Sequence, residues 1–194
     1  MPYHIYTTSA YIIEARAISE ANKSYTLFTR DFGIIYARAV GIRKGTSKLK
    51  YTLFPYTPLA VSFIRTKSSW QIIDASGEEE HKEKNFPVMC INARINLLLK
   101  RFLGQEESHE QLYDDLSDAF LFLSREALSE RELKLMEILL VYILLSHLGY
   151  IPHDHLKEHV LGLDMWNKNI LLSIEHNKKA YIETINSSMY AAQL

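Results

Sequence analysis

The sequence predicts an α+β protein in which a small five-stranded β-barrel precedes an all-helical bundle. Three observations predict this fold class. Short apolar runs separated by polar turns fill the chain up to about residue 77, and apolar residues recur at steps of three and four after residue 86. Between these two parts lies SGEEEHKEKN, which has almost no apolar content. We therefore expect a barrel domain at 1–77, a charged linker at 78–85 and a helical domain at 86–194.

Five short strands account for the first part. They are Tyr11 to Ile18, Ser24 to Thr29, Ile34 to Val40, Leu59 to Arg65 and Trp70 to Ala75. The turn Asp31-Phe32-Gly33 is a hairpin signal, because glycine reaches positive φ without steric cost. Five strands with one long connection predict a closed or partly open barrel such as an OB-fold.

The second part has helical periodicity. An apolar stripe from Val88 to Phe102 predicts a first helix, and a second spans about Glu110 to Leu123. A third helix starts at the capping-box pattern Ser129-Glu130-Arg131-Glu132 and ends near Leu148. This helix is apolar on nearly all sides from Ile138, which predicts the buried helix of a bundle, and the tail from Trp166 holds one or two weaker helices.

The composition favours a folded, cytoplasmic protein. Hydrophobic residues make up 47% of the 194 residues, enough to bury a core. Cys90 is the only cysteine, which excludes an intrachain disulfide and a cysteine zinc cluster. The first residues do not resemble a signal peptide, and the most apolar segment is shorter than the roughly 20 residues that cross a bilayer.

The formal net charge of -1 conceals an asymmetry. Up to Ala75 there are ten cations and four acidic residues, and the remainder has twelve cations and nineteen acidic residues. Four of the cations fall in one connection, GIRKGTSKLK, at residues 41–50. Such a split favours a first part that faces a polyanion, although a solvated charge excess on a small β domain gives the same count.

Binding residues are the strongest candidates for chemistry in this chain. The cations of residues 41–50 can contact phosphates, and Gly41 and Gly45 allow the backbone to bend and to approach a strand closely. Aromatic residues on neighbouring strands offer faces on which bases stack: Tyr25, Phe28, Tyr36, Phe54 and Tyr56. Because alternate aromatics in a small barrel mostly form core, we expect about two of the five to be exposed.

Catalytic patterns are weaker. Asp114 and Asp118 share a helix face that could hold magnesium in a nuclease, but the same residues suit the solvated side of an amphipathic helix. His153, His155 and His159 in HDHLKEH have metal-ligand spacing without a completed set of ligands. The chain has no G-x-S-x-G elbow, P-loop or G-x-G-x-x-G motif, and Cys90 lies in an apolar helix. We expect no catalytic centre, cofactor or metal.

Four segments together resemble the RecO family of bacterial recombination mediators. They are IEARAIS, YTLFTRDFGIIYARAVGIRKGTSKL, LFPYTPLAVSF and the late LLSHLGYIP. The likeness is dense from about Ile12 to Ala75 and returns at Leu148 to Pro152. Many members carry a cysteine zinc cluster after the last element, whereas this chain has HDHLKEH there.

The resemblance implies an N-terminal OB-fold and a helical domain in a protein without enzymatic activity. Family members act in repair of DNA damage: they bind single- and double-stranded DNA, anneal complementary strands, and work with RecR and the single-strand-binding protein to load the RecA recombinase. A protein of this kind is cytoplasmic and nucleoid-associated. The competing hypotheses are a metal-dependent nuclease that uses Asp114 to Asp118 and a generic OB-fold module whose ligand is protein or RNA.

The resemblance also assigns residues. The glycine and basic turn falls on Gly41, Arg43 and Lys44, and the Ser-Lys pair on Ser47 and Lys48, with Lys50 close by. Arg16, Arg30 and Arg38 are secondary candidates for DNA contacts. In the family, the acidic and hydrophobic tail of the single-strand-binding protein docks on the helical domain. Arg94, Lys100 and Arg101 are the nearest basic cluster for such a tail, although they also suit the solvated face of the first helix.

Overall fold

The computed structural model describes residues 4–55, 58–67, 69–77, 85–151 and 166–191. The chain divides into two compact units. Unit 1 comprises Met1–Glu83 and Asn92–Tyr113, and unit 2 comprises Lys84–Ile91 and Asp114–Leu194. The α+β class predicted from the sequence is confirmed, since a β-barrel comes first and helices follow it. Of the charged linker predicted at 78–85, residues 78–84 lie outside the described residues.

Unit 1 contains a closed five-stranded barrel. Its strands are β1 (Ile5–Ala17), β2 (Lys23–Thr29), β3 (Gly33–Ala39), β4 (Pro58–Arg65) and β5 (Trp70–Ser76). They are hydrogen-bonded in the order β1-β2-β3-β5-β4, with β1 closing the barrel against β4. Every pairing is antiparallel except the short parallel one between β3 and β5. The OB-type barrel that the sequence predicts is therefore present in the structure.

The long strand β1 joins the two halves of the barrel. It pairs with β4 from Ile5 to Tyr11 and with β2 from Ala10 to Ala17, and its register shifts between Ile12 and Glu14. Such an irregularity bends a strand and increases its twist, which allows one strand to pair on both sides of a closed barrel. The barrel interior is filled by side chains that alternate along the strands, among them Ile12, Tyr25, Leu27, Ile35, Val61 and Phe63.

A segment after the first helix also belongs to unit 1. Helix α1 (Phe86–Phe102) is followed by the bridging segment, residues 104–108. The amide of Glu106 donates a hydrogen bond to the carbonyl of Ile34 at 3.0 Å, and Gln105 forms a bridge with the same residue of β3. The indole Nε1 of Trp70 donates to the Glu106 carboxylate at 3.0 Å. The bridging segment therefore covers part of the edge of β3 that β5 leaves unpaired.

Unit 2 is helical. After α1, the helices are α2 (Glu110–Arg125), α3 (Glu130–His147), α4 (Lys168–His176) and α5 (Lys178–Ala191), and the boundaries between the units fall inside α1 and α2. Helix α3 begins at the predicted capping box, in which Ser129 and Glu132 each accept a hydrogen bond from the other's amide. Most of its residues from Leu133 to Ser146 are buried, as the sequence predicts. Within the described ranges, no helix is long and apolar enough to cross a membrane.

Candidate nucleic-acid interface

Residues 41–50, the basic loop, are anchored to the barrel where they begin. Gly41 has a φ of +70°, a conformation that favours glycine, and its amide donates to Oδ1 of Asn22 at 2.8 Å. The amide of Arg43 donates to the carbonyl of Ala21 at 3.1 Å. Between them Ile42 is only 2% exposed and belongs to the barrel core. The first residues of the basic loop are therefore held in place from the turn that precedes β2.

The far end of the basic loop is also fixed. Residues Lys48–Tyr51 form one turn of 3₁₀-helix, and the amide of Leu53 donates to the carbonyl of Leu49 at 3.0 Å. Leu53 is 4% exposed and belongs to the barrel core, against which Leu49 packs. Because apolar anchors hold both ends, the polar residues between them are presented to solvent.

The cations of the basic loop lie on its exposed side. Arg43, Lys44, Lys48 and Lys50 are all exposed. Nη1 of Arg43 donates to the carbonyl of Ser19 at 2.8 Å, and Nζ of Lys50 lies 5.6 Å from the centre of the Tyr51 ring. Ser47 is half-buried and precedes the 3₁₀ turn without a side-chain capping bond. This arrangement can place several positive charges against a phosphate backbone.

The two glycines of the basic loop differ. The expectation that Gly41 permits a special backbone conformation agrees with its positive φ. Gly45 has no positive φ, and a Cβ built there meets no described atom within 4 Å. Backbone conformation at Gly45 therefore does not require glycine.

The three arginines predicted as secondary contacts have different surroundings. Arg38 is exposed on the outer face of β3, and Arg16 is exposed on β1 beside the Glu14 carboxylate, with which it forms an ion pair. Arg30 is half-buried and lies 3.3 Å from the carboxylate of Glu110 and 3.8 Å from that of Asp31. Arg16 and Arg38 therefore face solvent, whereas Arg30 forms ion pairs within unit 1.

Four of the five aromatic residues are described by the structure, and one of these four is clearly exposed. Tyr25 and Phe28 are each 1% exposed, and Phe54 is half-buried. Tyr36 is 44% exposed, and Tyr56 lies outside the described residues. The structure thus separates Tyr36 from its neighbours as a candidate stacking residue.

Tyr36 lines two adjoining cavities on the outer face of the barrel. One cavity, of about 320 Å³, is also lined by Ser24, Arg38, Trp70 and Glu106. The other, of about 240 Å³, is also lined by Ser24, Thr26, Arg16, Glu14 and Lys100. Glu14 and Glu106 are not among the site residues predicted from the sequence, and for Glu106 no local signal exists because its contacts join residues far apart in the chain.

The three cations predicted for partner binding lie on the part of α1 that belongs to unit 1. Lys100 forms an ion pair with Glu14 on β1, and this hydrogen bond, together with that from Arg16, lowers the pKa of the Glu14 carboxyl against the opposing effect of burial. Arg94 and Arg101 are exposed one heptad apart, and Leu97 between them is 66% exposed. This face of α1 thus combines two exposed cations with one exposed apolar side chain.

On the acidic face of α2, the carboxylate of Asp115 contacts a histidine. Oδ2 of Asp115 lies 2.6 Å from Nε2 of His147 on α3. Burial raises the pKa of Asp118, and the neighbouring charges of Asp115 and Asp114 raise it further. Within the ranges that the structure describes, no group of three His, Cys, Asp or Glu side chains could hold a metal ion. The HDHLKEH segment lies outside those ranges.

Comparison with known proteins finds relatives of the barrel. Residues 1–76 match the family model described as recombination protein O N terminal. The chain is 29% identical over 142 residues to the DNA repair protein RecO of Serratia proteamaculans, covering 73% of this chain and 57% of that protein. It is 26% identical over 152 residues to that of Caldanaerobacter subterraneus subsp. tengcongensis, covering 75% and 58%.

A third DNA repair protein RecO, from a Polaromonas species, is 25% identical over 143 residues, covering 74% of this chain and 57% of that protein. In these three comparisons the match spans 57% to 58% of the relative's length. The matched region includes the barrel whose basic loop and Tyr36 are described above. Residues 1–76 are therefore similar to the N-terminal domain of recombination protein O, and the chain is similar to DNA repair proteins RecO over 73% to 75% of its length.

Proposed function

We propose that this chain binds single- and double-stranded DNA and acts in recombinational repair as a mediator without a catalytic centre. The observation that carries the proposal is an anchored loop with four exposed cations on a barrel that matches the N-terminal domain of recombination protein O. The names of the relatives assign those proteins to DNA repair. Charge on an anchored loop loses less freedom on binding than charge on a mobile one.

Annealing follows from the same charges. Two complementary strands repel each other through their phosphates, and a cationic surface that neutralises both lowers this repulsion. Phosphate contacts carry no sequence information directly, so binding depends little on base sequence. Counterions released from the DNA make the affinity fall steeply as salt rises.

Partners are part of the proposal. RecR and the single-strand-binding protein act with this chain in the loading of RecA, and DNA binding places it at the nucleoid in the cytoplasm. The face of α1 with Arg94, Leu97 and Arg101 suits the acidic and hydrophobic tail of the single-strand-binding protein, because cations beside an exposed leucine complement such a peptide. Lys100, named with these cations from the sequence, already forms an ion pair with Glu14.

The salt dependence of binding tests the role of the basic loop. Replacing both Lys44 and Lys48 by alanine removes two exposed charges there, and replacing Lys178 and Lys179 on α5 removes two exposed charges elsewhere. The slope of log K against log salt is negative, and each phosphate contact that is lost should reduce its magnitude by about 1. We expect the magnitude of the slope to fall by about 2 in the loop variant and to stay unchanged in the α5 variant. Equal slopes in both variants would reject the basic loop as a DNA contact.

Strand annealing tests the mediator activity. Complementary oligonucleotides are mixed with the protein, either bare or coated with single-strand-binding protein, and duplex formation is followed over time. We expect faster annealing with the wild-type chain than without protein, and a smaller effect with the loop variant. DNA cleavage in magnesium or manganese that disappears in Asp114→Ala would instead favour the nuclease hypothesis. Binding to RNA or protein with no binding to DNA would favour a generic OB-fold module.

A further inference from the structure

We infer that Tyr36 and the two cavities beside it form a subsite for a base of an unpaired DNA strand, separate from the phosphate contacts of the basic loop. This inference rests on the proposed function and specifies which form of DNA the barrel face takes. Among the described aromatic residues of β2 and β3, Tyr25 and Phe28 are each 1% exposed, whereas Tyr36 is 44% exposed.

Strand register places Tyr36 among short polar side chains and cations. Tyr36 pairs with Thr26 on β2, which pairs with Glu14 on β1. Two residues further along each strand, on the same face, Arg38 of β3 pairs with Ser24 of β2, which pairs with Arg16 of β1. Because residues two apart on a strand point to one face, Arg38 stands roughly 7 Å along β3 from Tyr36.

The neighbours leave space for a flat group. The 320 Å³ cavity and the 240 Å³ cavity share Ser24 and Tyr36 in their linings. Thr26 is the cross-strand neighbour of Tyr36 on β2, Ser24 is the next residue of β2 on that face, and with these small side chains beside it Tyr36 remains 44% exposed. An aromatic face that is bordered by open space offers a nucleobase a surface on which to stack, and this interaction tolerates any base.

The distribution of charge favours a base over a phosphate in these cavities. Each cavity has a carboxylate in its lining, Glu14 in the smaller and Glu106 in the larger. The Glu14 carboxylate pairs with Arg16 and Lys100, and the Glu106 carboxylate pairs with Arg65 and accepts from Trp70. The two cations that line the smaller cavity, Arg16 and Lys100, are already paired with Glu14, so a phosphate there has to compete with a carboxylate, whereas an uncharged base does not. The exposed Arg38 then remains for a phosphate that flanks the base.

Only an unpaired strand can use such a subsite. In a duplex each base is stacked on its neighbours and paired, so placing one against Tyr36 requires its removal from the helix. The basic loop makes no such demand, because phosphates are exposed in both forms of DNA. Tyr36 should therefore contribute to affinity for single strands and not to affinity for duplex.

Three substitutions at Tyr36 test this inference. Tyr36→Phe keeps the ring, Tyr36→Leu keeps apolar volume without the ring, and Tyr36→Ala removes both. Affinity is measured by fluorescence anisotropy for three probes of equal length: an oligo(dT) strand, the same strand with abasic residues throughout, and a blunt linear duplex. Since stacking on an aromatic side chain contributes about 5- to 150-fold in affinity per base, we expect Tyr36→Ala and Tyr36→Leu to bind oligo(dT) more weakly by a factor in that range.

The other probes and variants have defined outcomes. Tyr36→Phe should bind oligo(dT) like the wild type, all three variants should bind the abasic strand and the linear duplex like the wild type, and Tyr190→Ala on α5 should change nothing. Unchanged affinity of Tyr36→Leu for oligo(dT), or an equal loss on the abasic strand, would overturn the inference. If the inference is overturned in this way but the Lys44 and Lys48 variant still binds DNA more weakly than the wild type, the proposed function is retained and only the Tyr36 subsite is rejected. A wild-type chain that binds none of the three probes would overturn both.

Discussion

Gly33 is the position where a single added methyl group should damage unit 1 most. It opens β3 with a φ of +62°, and a Cβ built on it would lie 1.8 Å from the carbonyl oxygen of Glu107 in the bridging segment. Real Cβ atoms do not approach other atoms closer than 3.0 Å, so in Gly33→Ala the two backbones must separate by at least the 1.2 Å difference. Neither backbone can yield by a change of side-chain rotamer.

The cost can be worked out from the contacts that the separation breaks. A left-handed backbone costs a residue other than glycine about 1–2 kcal/mol. The hydrogen bond from the Glu106 amide to Ile34 is 3.0 Å long, and so is that from the Ser108 hydroxyl to the Arg30 carbonyl. A shift of 1.2 Å breaks both, at about 1 kcal/mol each. We expect Gly33→Ala to lower the free energy of unfolding of unit 1 by about 3–4 kcal/mol.

Gly41 and Gly45 supply the matched controls. Gly41 has nearly the same φ as Gly33, +70°, but a Cβ there comes no closer than 3.8 Å to the nearest atom, on the side chain of Lys44. Gly41→Ala should therefore cost only the backbone conformation, about 1–2 kcal/mol. Gly45→Ala should cost nothing or stabilise slightly, because alanine restricts the unfolded chain.

Urea unfolding separates the three variants. The chain has two tryptophans, and in a Trp166→Phe background the fluorescence of Trp70 reports on unit 1 alone. We expect the urea midpoint to be highest for Gly45→Ala, lower for Gly41→Ala and lowest for Gly33→Ala. Equal losses of unfolding free energy in Gly33→Ala and Gly41→Ala would refute the close approach of the bridging segment to β3. The two glycines have nearly the same φ, and they differ in the distance from an added Cβ to its nearest neighbouring atom.

Two further predictions concern buried and paired groups of unit 1. The Tyr25 hydroxyl is buried without a hydrogen-bond partner among the described residues, and burial raises its pKa to about 12. Tyr25→Phe should therefore raise the free energy of unfolding by about 1 kcal/mol in urea titrations, and a loss of stability would indicate a partner for the hydroxyl. Lys100 holds the pKa of Glu14 below its ordinary 4.5, so this ion pair stabilises the fold above that pH and ceases to as pH falls through the lowered pKa. Urea titrations should show Glu14→Gln less stable than the wild type at pH 7, with the difference shrinking as pH falls through the lowered pKa of Glu14, whereas a constant difference would exclude ionisation of Glu14 as its cause.

Local patterns in the sequence predict most of the fold. Strands β2 to β5 are predicted within about one residue of their observed bounds because period-two alternation and turn residues are local signals. The start of β1 is wrong by six residues, since the observed strand begins at Ile5 and the prediction at Tyr11. Residues 5–10 include two threonines and a serine, and they form a strand because β4 pairs with them. Such a partner is not visible in a local window.

The attachment of the bridging segment to the barrel is also beyond local reasoning. Sequence periodicity separates strands from helices near residue 86, yet residues 92–113 belong to the same compact unit as the barrel. The joining contacts, such as Glu106 with Ile34 and Trp70, connect residues more than 35 positions apart. Nothing in composition marks Glu106 as a hydrogen-bond acceptor for a tryptophan. The predicted domain bounds of 1–77 and 86–194 stay a prediction.

The exposure of Tyr36 could have been predicted, and the burial of Phe28 could not. In β3 the small or apolar residues Ile35, Ala37 and Ala39 alternate with Tyr36 and Arg38, and a strand face that contains an arginine faces solvent. The same reasoning places Phe28 outward with Ser24 and Thr26, but its ring lies 5.4 Å from that of Tyr113 and is covered. The alternation of side chains along a strand therefore indicates which of them point away from the barrel interior. Contacts with residues distant in the sequence decide which of these are exposed to solvent. Tyr36 reaches solvent because its cross-strand neighbour is a threonine, and this makes it available to a base.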